Sequence, residues 1–150
     1  MTHEISDIQL ACFSLGDGLF AVDIMRIREI VLPQKLSSLP RASRFLEGMI
    51  NLRGAVIPVM DMRRRFGMGP ADGQKTGKLL IVSLGRQLLA MAVDDVLEVI
   101  TVPVADIKPP PEITDDSGVE CLLGMCLANE RVFMILDIDS LLGPADIRGL

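Results

Sequence analysis

The feature that most constrains the fold of this chain is an internal repeat. The run Ser14-Leu15-Gly16 returns as Ser83-Leu84-Gly85, and several apolar and acidic positions that follow keep the same offset of 69 residues. Later matches keep an offset of 76 residues and pair Gly48 with Gly124, Met49 with Met125, Val56 with Val132 and Asp61 with Asp137. A duplication within 150 residues indicates two small copies that share a core, because each copy alone is short.

The stretch from Gly48 to Gly67 contains the clearest strand pattern of the first copy. Its two short apolar runs, Met49–Leu52 and Ala55–Met60, meet at the pair Arg53-Gly54. Apolar runs that meet at a glycine corner predict a tight hairpin whose strands each give one face to a core. The hairpin carries a polar and charged corner in an apolar neighbourhood, which marks it as more than a structural turn.

Two residues in this stretch carry specific expectations. Pro58 has no backbone N–H, so we expect it on an edge strand or at a bulge. Asp61 is expected to end the second strand and to cap a short helical turn over Met62–Phe66. Since Asp137 occupies the equivalent place in the second copy, the two aspartates are expected to share this capping role.

Short strands with closely spaced turn signals predict an all-β fold. We expect two small five-stranded β-barrels packed side by side, with short helical turns. The predicted organisation is one domain over 1–150, with a first subdomain at 8–67, a linker at 68–78, a second subdomain at 79–143 and a tail at 144–150. A groove between two such barrels is a natural binding place.

Composition and charge exclude several classes of protein. A net charge of −5 argues against a nucleic-acid-binding protein, which usually presents a basic face. No long uncharged apolar window is present, so direct membrane insertion is not expected. The N-terminus lacks a signal-peptide pattern, and the three cysteines, an odd number, each lie in an apolar segment. We therefore expect a cytoplasmic protein with reduced core thiols.

Catalytic chemistry has little support in this sequence. The only histidine, His3, lies in the terminal segment, which removes His-dependent nucleophilic catalysis and most zinc sites. Cys121 and Cys126 do not have the spacing of a Cys-x-x-Cys pair. Asp137 and Asp139 are acidic, but the repeat favours a structural role for Asp137. We therefore expect no enzyme, no cofactor and no metal site.

Several motifs taken together resemble the CheW family of chemotaxis coupling proteins. They are the block Ser14–Val31, Asn51-Leu52-Arg53-Gly54 with Ile57-Pro58-Val59-Met60-Asp61, the block Ala92–Ile100, Ile107-Lys108-Pro109-Pro110-Pro111 and Leu136-Asp137-Ile138-Asp139. The resemblance extends over residues 10–143. It implies two SH3-like five-stranded barrels, in agreement with the repeat, and a non-catalytic adaptor.

By this resemblance, the protein links the helical hairpin at the cytoplasmic tip of a chemoreceptor to the regulatory domain of the histidine kinase CheA. The resemblance also implies that the receptor hairpin binds in a groove of the protein, as a helix-in-groove contact. The receptor-binding positions that the resemblance implies are Ile27, Glu29, Gly48, Arg53 and Val99. Arg53 either bonds to the receptor or supports the groove wall. Ile27 and Val99 either line the groove as apolar walls or pack in the core.

For the kinase, we expect contact through the loop of the first barrel, with Leu36 and Leu39 as apolar anchors. Two alternatives stay open. One is a coupling protein of a non-flagellar chemosensory array that controls pili or second-messenger enzymes. The other is a sensor domain for a small ligand, which would gain thermal stability from a metabolite or metal.

Overall fold

The computed structural model describes residues 6–39, 44–70, 77–110 and 121–142. The regular elements within these ranges are β1 (Asp7–Leu15), β2 (Gly18–Asp23), β3 (Ile27–Val31), β4 (Leu46–Leu52), β5 (Ala55–Asp61), α1 (Met62–Arg65), β6 (Lys78–Leu84), β7 (Gln87–Val93), β8 (Asp95–Pro103), β9 (Leu122–Ala128) and β10 (Arg131–Leu136). Short 3₁₀ turns cover Ile24–Arg26, Val104–Asp106 and Ile138–Ser140.

The strands form two five-stranded sheets, and the predicted mostly β fold is confirmed. Sheet A has the order β8-β1-β2-β10-β9, and sheet B has the order β3-β6-β7-β5-β4. Neighbouring strands are antiparallel except at two places, where β10 runs parallel to β2 and β5 runs parallel to β7. Exchanging each strand for its repeat partner converts one order into the other, so the sequence duplication is also a duplication of topology.

The sheets do not coincide with the two contiguous blocks of the sequence. Sheet A combines β1 and β2 with β8, β9 and β10, whereas sheet B combines β3, β4 and β5 with β6 and β7. The cause is local, because the chain crosses to the other sheet through the turn Ile24–Arg26 and again at Asp94. The predicted subdomain ranges 8–67 and 79–143 therefore match the two copies of the sequence repeat. Each sheet instead takes strands from both copies, because the chain changes sheet at the two crossings.

Most of the predicted linker and tail lies outside the described residues. Of the linker 68–78, residues 71–76 are not described, and Lys78 already begins β6. The tail 144–150 is not described.

The central strands β1, β2, β6 and β7 are mostly buried on both faces, and the buried apolar residues form three layers. The layer between the sheets includes Phe13, Leu15, Phe20, Met60, Leu80, Leu89 and Met91. The far face of sheet A includes Leu10, Cys12, Phe133 and Ile135, and the far face of sheet B includes Ile50, Ile57, Leu79 and Ile81. Burial on two faces explains why β1, β6 and β7 are nearly continuous apolar runs instead of alternating ones.

The hairpin predicted around Arg53-Gly54 is present, with Pro58 in a different setting from the one expected. β4 and β5 pair antiparallel, and Met49 lies opposite Pro58. β5 lies between β7 and β4, so Pro58 is not on an outer strand, and the bulge of the β4–β5 pair lies between Leu46 and Gly48 instead of at Pro58. The proline is tolerated because β5 pairs with β7 only from Val59 onward, so no ladder donor is needed on that side at Pro58.

The two aspartates expected to cap turns do so. The Asp61 carboxylate accepts the backbone N–H of Arg64 at 3.2 Å and begins α1. The Asp137 carboxylate accepts the backbone N–H of Asp139 at 3.2 Å and begins the turn Ile138–Ser140. Both side chains satisfy a donor that the short helical turn leaves without an internal partner.

Candidate protein-binding surface

The turn between β4 and β5 places Arg53 in an uncommon backbone conformation. Arg53 has φ +52° and Gly54 has φ +90°. A two-residue hairpin loop with positive φ at both positions matches the right-handed twist of its strands. The Asn51 side-chain oxygen accepts the backbone N–H of Gly54 at 2.9 Å and stabilises the turn. The run Asn51-Leu52-Arg53-Gly54 therefore holds one guanidinium in a defined position.

That guanidinium forms a two-pronged ion pair with Glu29 of β3, which we call the barrel-closing pair. Arg53 Nη1 donates to Glu29 Oε2 at 3.1 Å, and Nη2 donates to Oε1. The side chain of Arg53 is 68% exposed and that of Glu29 is 35% exposed. A bidentate geometry fixes both side chains more firmly than a single contact would.

The pair changes the acidity of Glu29. Hydrogen bonds from Arg53 hold the pKa of the Glu29 carboxyl below its ordinary value of 4.5. Burial opposes this effect in part, and the positive charge of Arg53 makes a smaller contribution that lowers the pKa further. The pKa of Arg53 is raised by the same hydrogen bonds. Both groups are therefore charged at neutral pH.

The barrel-closing pair connects the two outer strands of sheet B. Glu29 lies on β3 at one edge of the sheet, and Arg53 follows β4 at the other edge. The pair therefore spans the two edge strands of sheet B.

Sheet A has a weaker equivalent of this pair. Glu98 lies on the outer strand β8, and the hairpin turn after the other outer strand, β9, contains Asn129. Arg131 Nη2 lies 3.6 Å from Glu98 Oε1, and Asn129 Nδ2 donates to the same oxygen at 3.5 Å. The repeat therefore preserves an acidic residue and a hairpin turn at the closing edges of both sheets.

Beside the barrel-closing pair, sheet B has a depression of about 410 Å³, which we call the sheet B depression. Its apolar lining includes Leu52, Ile57, Ile81 and Leu88, all belonging to or packed against the apolar layer on the far face of sheet B. Its charged rim includes Arg28, Glu29 and Arg53. An apolar floor with a few polar groups at its edge is typical of a binding site.

Gly48 lies against the loop that carries Leu36. The Ser37 N–H donates to Met49 O at 2.8 Å, and the Met49 N–H donates back to Ser37 O at 2.9 Å. A Cβ atom on Gly48 would lie 2.5 Å from Ser37 O, so only glycine allows this close approach. Leu36 is 40% exposed, whereas Leu39 is half-buried and packs against the layer between the sheets.

The two apolar positions expected to line the receptor groove differ in burial. Ile27 is half-buried and packs against the layer between the sheets. Val99 is 51% exposed and lies on β8 in sheet A, whereas the strands that carry the other expected receptor-binding residues belong to sheet B. Ile30, the repeat partner of Val99, is 47% exposed, and the sequence reasoning missed it although the repeat gave the signal.

An exposed apolar cluster on the β9–β10 hairpin was also missed. Leu127 is 68% exposed and lies directly opposite Val132, which is 51% exposed, with Leu123 on the same strand. The apolar run of β9 gave no signal for this cluster, because apolar residues occupy both of its faces.

The described residues provide no reactive centre of the kinds considered. Burial raises the pKa of the Cys12 thiol to about 12, with further contributions from Glu98 and Cys126, so Cys12 is not a thiolate at neutral pH. Within the described ranges, no group of three or more His, Cys, Asp or Glu side chains is placed to hold a metal ion.

Comparison with models of protein families identifies the family to which this two-sheet fold belongs. The family model for the CheW-like domain matches residues 9–145. The chain belongs to the CheW family. The scaffolding protein TtCheW from Thermoanaerobacter tengcongensis has a similar fold, with a TM-score of 0.83 at 31% identity and coverage of 95% of each chain. The two sheets therefore correspond to the two SH3-like subdomains of the CheW fold.

Relatives of similar length support this assignment. A probable chemotaxis protein CheW of Rhizobium etli is 31% identical over 140 residues, covering 93% of this chain and 90% of the relative. The protein FrzA of Myxococcus xanthus is 33% identical over 141 residues, covering 93% of this chain and 88% of the relative. This CheW-family chain is a non-catalytic chemotaxis scaffold, and its partners are those of chemotaxis signalling. None of the helices in the described part of the chain has the length and apolarity needed to cross a membrane.

Proposed function

We propose that this CheW-family protein couples the helical hairpin at the cytoplasmic tip of a chemoreceptor to the regulatory domain of the histidine kinase CheA. It acts in the cytoplasm, where receptor arrays in the membrane recruit it. The observation that carries this proposal is the match with a scaffolding protein over 95% of both chains. A scaffold needs a separate surface for each partner, and we assign one to each of two regions.

The receptor surface includes Glu29 and Arg53, with Ile27, Gly48 and Val99 as the other expected positions. What supports this assignment is an exposed, fixed ion pair next to an apolar depression. Such a combination suits an amphipathic helix, whose apolar side chains enter a concave surface while its polar side chains meet the rim. Gly48 does not line the sheet B depression, and its close approach to Ser37 supports the loop that carries Leu36.

The kinase surface is the loop that carries Leu36 and Leu39. Its backbone is held to β4 by the two hydrogen bonds between Ser37 and Met49, so Leu36 is presented in a fixed position. Leu39 packs inward and anchors the loop to the layer between the sheets. A rigid loop with an exposed apolar side chain loses little entropy on binding a partner.

The test is a calorimetric titration of the Arg53→Glu variant with a receptor-tip hairpin from the same genome. We expect the dissociation constant to rise by roughly tenfold or more, because the reversed charge removes the bidentate bond and repels Glu29. Binding to the kinase regulatory domain should stay unchanged, and so should the far-UV circular dichroism spectrum.

Arg86→Glu is the matched control, because Arg86 is exposed in the β6–β7 turn and does not line the sheet B depression. Equal receptor affinity in wild type and Arg53→Glu would remove Arg53 from the receptor surface. If folded wild-type protein binds neither partner, the proposed coupling is wrong.

A further inference from the structure

Two residues that line the sheet B depression are smaller than their repeat partners in sheet A, although Leu52 and Ile81 are larger than theirs. At the offset of 76 residues, Ile57 corresponds to Phe133 and Ala55 corresponds to Arg131. Phe133 is fully buried in the apolar layer of sheet A, and Arg131 extends to Glu98 at the edge of that sheet. In sheet B, an isoleucine and an alanine occupy these two places beside a depression of about 410 Å³.

The rim of the depression carries positive charge that the described part of the chain leaves available. Arg53 is bonded to Glu29, but no carboxylate within the described ranges forms an ion pair with Arg28. Arg28 is exposed and is the extra residue at a β-bulge, since Ile27 and Glu29 pair with the consecutive residues Val82 and Ile81. A bulge commonly re-aims a side chain at a functional surface.

We propose that the sheet B depression is an anchor pocket that receives one apolar side chain of the receptor-tip hairpin, with a carboxylate next to that side chain pairing with Arg28. This inference rests on the proposed function and names the receptor chemistry that the site selects. The supporting features are the apolar floor, the open space and the positive rim. A single apolar anchor in a pocket, surrounded by polar contacts, is the usual form of an energetically dominant interface residue.

Two variants fill the pocket from different sides. Ala55→Leu adds bulk at an exposed rim position, and Ile57→Phe introduces the residue that sheet A has at the same place. Calorimetric titration with the receptor-tip hairpin should show a dissociation constant roughly tenfold or more above that of wild type for both. Val56→Leu is the matched control, because Val56 neighbours Ala55 on the opposite face of β5 and should leave receptor affinity unchanged. Arg28→Gln should weaken binding by a smaller factor that disappears at high salt.

A measurement on the wild-type protein avoids any effect of a substitution on folding. With isoleucine methyl groups labelled for NMR, addition of the receptor-tip hairpin should shift the Ile57 and Ile81 resonances, while Ile135 in the core of sheet A should not move.

The outcomes separate this inference from the proposed function. If wild type binds the hairpin but Ala55→Leu and Ile57→Phe bind as tightly, and the Ile57 and Ile81 methyl groups do not shift, the anchor pocket is wrong and the coupling function stands. If wild type does not bind the hairpin, both fail.

Discussion

At the scale of single residues, the surface depends on a strained arginine. A non-glycine residue in the left-handed conformation costs roughly 1–2 kcal/mol, and Arg53 has φ +52°. The Asn51 side chain and the ion pair with Glu29 hold it there. Because an exposed ion pair adds little to folding stability, the role that we propose for this arrangement is in binding.

The acidity of Glu29 gives a direct test of this pair. Its carboxyl pKa is lowered by Arg53, so the pair is fully formed above the ordinary value of 4.5 and is lost as the pH falls through the lowered folded-state value. A carboxyl-carbon NMR titration should therefore give a midpoint below 4.5 in wild type. In Arg53→Ala the midpoint should return toward 4.5. Identical midpoints in the two proteins would show that the ion pair does not form in solution.

The individual residues of the surface could be predicted only in part. The turn at Arg53-Gly54 follows from local sequence, because glycine and the apolar runs around it specify a hairpin. The partner of Arg53 could not be found this way, since Glu29 lies 24 residues earlier and reaches it only through the closure of sheet B. Arg28 and Ile30 were missed because their exposure depends on the bulge and on the strand's place at the sheet edge.

At the scale of elements, two polar clamps hold the crossings between the sheets. In one, the Asp94 carboxylate accepts hydrogen bonds from Arg63 Nε at 2.7 Å and from the Gly16 N–H at 2.7 Å. In the other, Arg26 Nη2 donates to Asp139 Oδ1 at 2.7 Å and to Ser83 O at 2.8 Å. Arg63 and Asp139 are repeat partners, so this position carries opposite charges in the two clamps.

The clamps differ in burial, and stability should reflect the difference. The side chains of Arg63 and Asp94 are 17% and 8% exposed, whereas Asp139 is 65% exposed. Asp94→Ala leaves a largely buried guanidinium without this carboxylate and should lower the free energy of unfolding by roughly 3 kcal/mol. Asp139→Ala, the matched control, should lower it by less than about 1 kcal/mol. Urea denaturation of both variants measures the difference, and equal losses would contradict the assigned roles.

Elements were predictable where their signals are local. The β4–β5 hairpin and the caps at Asp61 and Asp137 were all expected from short patterns. The interior position of β5 and the exchange of strands between sheets were not, because a strand's own residues indicate which faces are buried but not which distant strand it pairs with. Pro58 illustrates this limit, since its tolerance depends on where β7 begins to pair.

At the scale of the whole molecule, neither half of the chain contains a complete sheet. Sheet A needs β8, β9 and β10 from the second half, and sheet B needs β3, β4 and β5 from the first. The layer between the sheets also takes residues from both halves, such as Phe13 and Leu89. We therefore expect the chain to unfold as one cooperative unit instead of as two independent domains.

Fragments of the chain test that cooperativity. Residues 1–70 and 71–150, expressed separately, should each lack a cooperative thermal transition by circular dichroism, because each leaves incomplete sheets and exposed strand edges. Mixing the two fragments should restore part of the β signal. A cooperative transition in either fragment alone would support independent subdomains with limits near 8–67 and 79–143.

The central claim is that one chain holds a receptor and a kinase together. Sedimentation analysis of a mixture of this protein, a receptor-tip hairpin and a CheA regulatory domain measures this most directly. We predict a ternary complex in which each partner binds with the affinity that it shows alone, because the sheet B depression is not lined by Leu36 or Leu39. Competition between the two partners for one site, with no ternary species at any concentration, would contradict the scaffold account.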